Sequence, residues 1–291
     1  MSGESNRAAS ALTALRLGCR SFTPARVGLG STGVSLSTRD RLDFERCHAL
    51  ARDAVHARLE SATLAKTLGD LAGGTVLRLH SAAPDRATYL QRPDRGRTLS
   101  ESSRKLLAAH AEAHRTAPAP DLALIFADGL SALAIERHAA PLLEELLPRL
   151  EDPHLDGPGL EDWRLAPITL APISIVEQGR VAIGDEIGSA LGAQLAVILI
   201  GERPGLSSPD SLGAYITWQP RPGRTDAQRN CISNIRPEGL TYAQAAAHLS
   251  AILAQARRRQ LTGVALQNPA HPDPLHPHPL HLDPARFPER G

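Results

Sequence analysis

The chain has 291 residues, 42% of them hydrophobic but only 3% aromatic, and a formal net charge of +1. That is enough to bury an aliphatic core in one large α/β domain with a smaller appendage, and it excludes a chain disordered throughout. The interspersed charge excludes a basic nucleic-acid stripe, and no apolar run reaches bilayer-spanning length.

Residues 1–36, rich in Gly, Ser and Arg around the apolar stretch 11–17, read as an N-terminal arm. No long apolar signal core opens the chain, which argues against export. Ser37-Thr38-Arg39-Asp40 is a capping-box pattern that starts a helix, with Cys47, Leu50, Ala51, Ala54 and Val55 on its apolar face and Arg46, Asp53 and Glu60 toward water. Cys47 is thereby a small core residue. With Cys19 and Cys231 it makes three widely spaced cysteines, an odd number that argues against a disulfide framework and for a reducing compartment. Gly73-Gly74 breaks the helical region, residues 76–79 form a short strand, and 89–97 are a polar loop. The segment 37–99 is thus expected to be a helical N-terminal domain.

From Ser100 the pattern alternates. A helix over 101–115 ends before Pro118 and Pro120. Residues 121–127 are a near-continuous apolar run, as in a strand covered on both faces of a parallel sheet. A helix follows over 131–150, kinked at Pro141. Next comes a strand over 168–176 that Pro172 makes short or peripheral, then a helix over 181–191. Residues 195–200 are the clearest core strand. Another strand covers 214–218, an Ala-rich helix 241–259 ends in the solvated turn Arg257-Arg258-Arg259, and 264–266 form a last short strand. This alternation predicts an α/β fold, a Rossmann-like, doubly wound and mostly parallel sheet over 100–268. Residues 269–291, dominated by Pro and His, read as a disordered tail whose His271, His276, His278 and His281 bind metal only adventitiously.

Ligands of open α/β sheets sit beyond the carboxyl ends of the strands. The loop Asp128-Gly129-Leu130-Ser131 makes a turn and caps a helix with Ser131, and it lacks the Gly-x-Ser-x-Gly of a hydrolase. The loop 201–211 is long, stiffened by prolines, and places Glu202 directly after a core strand. There it either binds a ligand or pairs with an arginine. The stretch Asn230-Cys231-Ile232-Ser233-Asn234-Ile235 has turn-forming residues around a thiol that is either packing or reactive. Neither a phosphate-binding loop nor Gly-x-Gly-x-x-Gly is present, so no common nucleotide cofactor is indicated.

Taken together, segments 89–97, 128–131, 179–181, 201–211 and 230–235 with Arg236-Pro237-Glu238-Gly239 resemble the light chain of ethanolamine ammonia-lyase, in order and spacing, over about residues 20–268. The resemblance implies a subunit that holds adenosylcobalamin against a large TIM-barrel subunit carrying ethanolamine and most catalytic groups. Homolysis of the cobalt–carbon bond would then start the radical conversion of ethanolamine to acetaldehyde and ammonia. It places cobalamin contacts on Val181, Glu202 and Cys231, with Cys231 a pocket wall and not a nucleophile, and it names no catalytic or metal-ligating residue in this chain. Asp152-Pro153-His154-Leu155-Asp156-Gly157 matches a short cobalt-histidine motif. It follows a helix and a proline in a Gly/Pro-rich linker, so ligation by His154 is not expected. Some relatives work in bacterial microcompartments, others in the cytoplasm, and residues 8–17 fit either a targeting or a subunit-docking helix. Two alternatives stay open: a standalone enzyme with Asp128 and Glu202 as acid and base, and a purely structural interaction subunit.

Overall fold

Two strands buried along their whole length, β4 (Leu122–Ala127) and β6 (Leu195–Gly201), set the architecture. They pair in parallel from Leu122 with Leu195 to Ala127 with Ile200. Strands apolar on both faces need cover on both sides, and helices supply it. The computed structural model describes residues 34–152 and 167–266, with residues 18, 26, 27, 29, 31 and 32. The stretch 11–17, His154 and the Pro/His-rich tail lie outside the described residues.

A small antiparallel ribbon, β1 (Ser31–Thr32) with β2 (Ser35–Leu36), precedes helix α1 (Thr38–His56). The main sheet adds β3 (Val76–His80), β5 (Ile173–Glu177), β7 (Leu212–Trp218) and β8 (Arg229–Ile235), in the order β3-β5-β4-β6-β7-β8. The first four run parallel, while β7 and β8 are antiparallel to their neighbours. On one face lie α2 (Ser61–Ala72), α5 (Ala132–Glu151) and α7 (Tyr242–Arg259). Leu68, Leu142, Leu143, Leu249 and Leu253 there meet Leu124, Phe126 and Val197 of the sheet. On the other face lie α4 (Glu101–Ala113) and α6 (Ile183–Ala190), whose Leu107, Ile183 and Ile187 meet Ile125, Ala196 and Ile198. Each such side chain contributes roughly 1.5–3 kcal/mol by leaving water. The α/β, doubly wound and mostly parallel expectation holds. No helix among the described residues is long and apolar enough to cross a membrane.

Local chemistry explains the boundaries. Ser37, Ser100, Ser131 and Thr241 each accept a backbone N–H three residues on, starting α1, α4, α5 and α7. In α7 the Gln244 side chain reaches back to the Thr241 N–H, completing the box. α5 is assigned without a break through both Pro141 and Pro148.

Several sequence expectations are corrected. Leu50 is exposed, because α1 buries only Cys47 and Ala54. The strand expected over 76–79 within the segment 37–99 is β3, and it pairs with β5 at the edge of the main sheet. β5 is short but interior, since Pro172 lies just before its first residue and removes no ladder bond. Residues 230–235 belong to edge strand β8. A register shift in its pairing with β7 and a left-handed Asn234 (φ 59°) obscure the alternation expected of a strand. Residues 264–266 form a turn, with Val264 exposed and the Gly263 N–H bound to Asn230.

One buried ion pair fixes α6 to the edge of the sheet. Arg229 donates to Asp185 with both side chains 3% exposed, and also to Asp226 and the Arg224 carbonyl. Burial raises the Asp185 carboxyl above its ordinary range, while Arg229 pulls it down. Replacing one partner leaves the other buried and uncompensated. Arg229→Met is expected to lower the unfolding free energy by about 3–5 kcal/mol, and the double variant with Asp185→Leu to recover part of that loss. Urea titration checks both, and a single variant as stable as the natural chain would refute the assignment.

Candidate functional site

The carboxyl ends of β3, β4, β5 and β6 open onto one edge of the sheet, and their loops are tied together there. Asp128, 1% exposed, follows β4 and turns its carboxylate toward the β5 loop, where the Gly179 N–H donates to Oδ1 at 3.1 Å. Burial raises its carboxyl to about 6, opposed by backbone N–H donors from Gln178, Gly179 and Gly129 and by the charge of Arg86. Arg86, the first residue of the short helix α3 (Arg86–Gln91) after β3, stands 3.8 Å from Asp128 and donates to the carbonyls of Val55 and Gly129. Both Arg86 and Arg180 stack on the Tyr89 ring, with guanidinium carbons 4.7 Å and 4.4 Å from its centroid. Its hydroxyl donates to the Gly179 carbonyl at 3.3 Å, and burial pushes the phenol up to about 12. Gly129 (φ 55°) and Gly201 let the β4 and β6 loops touch: a Cβ on Gly129 would strike the Gly201 carbonyl, and one on Gly201 the Ser131 carbonyl.

Above this knot is a cleft of about 420 Å³, floored by Gly129, Ile200 and Tyr215 and walled by Arg180, Val181 and Glu202. Val181 belongs to the turn that enters α6, and its carbonyl accepts the Gly184 N–H at 3.1 Å. Glu202 forms no ion pair among the described residues. Its Oε2 accepts from Ser211 Oγ at 2.6 Å and from the Asn234 N–H at 3.1 Å, which leaves Oε1 for a ligand. Cys231 pairs across the sheet with Tyr215, and its thiol stands 3.3 Å from Ser233 Oγ. Cys231 and Ser233 are exposed on edge strand β8, beside the cleft residue Tyr215.

The structure thus brings Val181 and Glu202 into one cleft and sets Cys231 beside it through Tyr215. Partial desolvation raises the Cys231 thiol, and the Glu202 charge adds to it, with hydrogen bonds to Ser233 and Tyr215 opposing. A protonated thiol suits a wall better than a nucleophile. The acid–base pair of Asp128 and Glu202 does not form, because Asp128 is consumed by the loop knot and does not line the cleft. Tyr89, Arg180 and Tyr215 carry no role in the sequence reading. Two of the three tyrosines in the whole chain line this one cleft, a concentration that composition could have flagged.

A second cleft of about 410 Å³ lies at the amino end of the sheet, walled by Pro118, Pro120 and Leu170. His110 and His114 are the only ionisable residues that line it. Charged and polar groups converge at the carboxyl end instead, where open α/β sheets take their ligands.

Fold and cleft define a doubly wound α/β chain with an open, polar cleft at the carboxyl ends of its parallel strands. Residues 16–267 match the family model of the ethanolamine ammonia-lyase light chain (EutC). The chain is 54% identical over 251 residues to the "Ethanolamine ammonia-lyase small subunit" of Ralstonia nicotianae, spanning 86% of this chain and 87% of that protein. It is 54% identical to that of Pseudomonas paraeruginosa, spanning 86% of each. To that of Pseudomonas fluorescens Pf0-1 it is 52% identical, again spanning 86% of each. The chain belongs to the ethanolamine ammonia-lyase light-chain family.

Asp128 gives the knot a pH signature. Its carboxyl is raised in the fold from 3.8 to about 6, so its contribution favours folding fully below the unfolded value and is lost as pH rises through about 6. Asp128→Asn keeps an acceptor for Gly179 but removes the titration. The stability of the natural chain relative to this variant is expected to rise between about pH 7 and about pH 4.5, as measured by urea unfolding. A difference that stays flat with pH would contradict the buried-carboxylate reading.

Proposed function

We propose that this chain is the small subunit of an adenosylcobalamin-dependent ethanolamine ammonia-lyase. In this reading it contributes half of the cofactor socket at its interface with a large TIM-barrel subunit. What supports this is that Val181 and Glu202 line one open cleft, with Cys231 paired across the sheet to its floor residue Tyr215, in a chain of that family. When bound, the cofactor supplies the hydrogen-abstracting radical chemistry that converts ethanolamine to acetaldehyde and ammonia.

The residues present suit such a group. A corrin is broad and flat, rimmed with carboxamides. The uncovered β7–β8 face, with Tyr215, Cys231 and Ser233, offers a flat floor, and Glu202 Oε1 offers an acceptor for an amide N–H. The Val181 turn, held by its bond to Gly184 and by Arg180 N–H to the Gly96 carbonyl, gives a fixed edge. This chain's part is to bind, orient and exclude water, while substrate and most catalytic groups belong to the large subunit. The complex works in the cytoplasm or in a bacterial microcompartment.

Co-expression with the large subunit tests the reading. The complex is expected to release acetaldehyde from ethanolamine only with adenosylcobalamin, and the isolated chain to be inactive. Glu202→Ala in the complex is expected to weaken cofactor affinity about tenfold or more, for one lost charge-assisted hydrogen bond. Unchanged affinity would remove Glu202 from the socket, and activity of the isolated chain would overturn the subunit assignment.

A further inference from the structure

Arg180 stands at the cleft as a cation without an anion. Arg86, which also stacks on the Tyr89 ring, has Asp128 as its counter-charge. Among the described residues no carboxylate comes within ion-pair reach of Arg180. Its Nη2 donates to the Tyr89 carbonyl at 3.0 Å, and its guanidinium lies over the Tyr89 ring. Its Nε is buried and has no acceptor. A buried donor left unpaired is costly, and native proteins rarely keep one unless something else supplies the partner.

The group is also held in advance. Tyr89, on which it stacks, is 1% exposed and fixed through its own hydroxyl to Gly179. The Arg180 N–H is tied to the Gly96 carbonyl at 2.8 Å. Little side-chain freedom remains to be lost when a ligand arrives. Across the cleft Glu202 keeps one carboxylate oxygen free. One wall therefore donates and the other accepts. A primary carboxamide matches both, with its carbonyl oxygen toward the guanidinium and its NH₂ toward the carboxylate.

We propose that Arg180 is a specificity-determining contact of this cleft, donating to the carbonyl oxygen of a peripheral carboxamide of the corrin. The inference rests on the reading of the cleft as a cobalamin half-socket. A phosphate presents the same acceptor chemistry, and the nucleotide loop of cobalamin carries one, so the test separates the two sources within one molecule.

The test uses the assembled two-subunit enzyme with Arg180→Met, which keeps an apolar stem over Tyr89 and removes every donor. Binding of hydroxocobalamin and of cobinamide, which has the carboxamides but no nucleotide-loop phosphate, is measured by equilibrium dialysis with absorbance detection. Both affinities are expected to fall about tenfold or more, with Arg180→Lys intermediate because it restores charge without the planar fork. A loss for hydroxocobalamin alone would move the contact to the phosphate and overturn the carboxamide assignment. Unchanged affinity for both, with Glu202→Ala still weakening binding, would sink this inference and leave the half-socket standing. If neither Glu202→Ala nor Arg180→Met changes binding, the half-socket itself fails. Should Arg180→Met not assemble, Arg180→Lys decides on the same two probes: an equal drop for both supports the carboxamide contact, and no drop refutes it.

Discussion

Asp128 gives up almost all contact with water, and backbone N–H groups of Gln178, Gly179 and Gly129 take the place of its hydration shell. Because those donors come from the loop after β5 and from its own turn, the carboxylate binds two strand ends to each other. Arg86 brings in a third from β3 and reaches the last turn of α1 through the Val55 carbonyl. Desolvating a carboxylate is expensive, and only a dense set of donors makes it tolerable. The positions of Tyr89, Arg180 and Val181 follow from that arrangement: the turn that carries Val181 leaves β5 at the two residues whose N–H groups Asp128 accepts.

The cleft follows from the layering. α6 covers β4 and β6 but leaves the upper part of β7 and β8 bare, and Arg229 with Asp185 holds it there. What remains is a polar ledge beside a sheet edge, open on one side. A site that buries a large cofactor needs a second wall. In the proposed reading a large-subunit partner supplies it, and the pocket left incomplete in this chain is then a coherent feature and not a defect.

Much of the fold was legible because its signals are local. The apolar runs at 121–127 and 195–200 read as strands covered on both faces, and the hydroxyls at Ser37 and Ser131 announced two helix starts. The misses are places where tertiary context decides. Leu50 lies on the right face of an amphipathic pattern, but α1 rests on the body only near Cys47 and Ala54. Strand β8 carries Asn, Cys and Ser because it lies at an edge and one face is open, which hides its periodicity. Asp128 read as a turn residue or, in the alternative reading, an acid–base partner of Glu202. Nothing local shows that its carboxylate is aimed at a loop 51 residues later. Among the candidate site residues, Glu202 drew notice from its position after a core strand and Cys231 from the turn-forming stretch around it, whereas Val181 came from resemblance alone. The Tyr89 stack and Tyr215 depend on contacts between distant segments, which no spacing reveals.

The central claim is that the cofactor lies on the ledge formed by β7, β8 and the Val181 turn. Cys231 is an exposed thiol on that ledge, while Cys47 is buried elsewhere. Alkylation of Cys231 in the assembled enzyme, followed by peptide mass spectrometry with and without adenosylcobalamin, reads the occupancy of the ledge directly. The account predicts that labelling of Cys231 slows sharply when cofactor is added, with labelling of Cys47 unaffected. Equal labelling of Cys231 in a complex shown to have bound cobalamin would place the cofactor elsewhere and contradict the account.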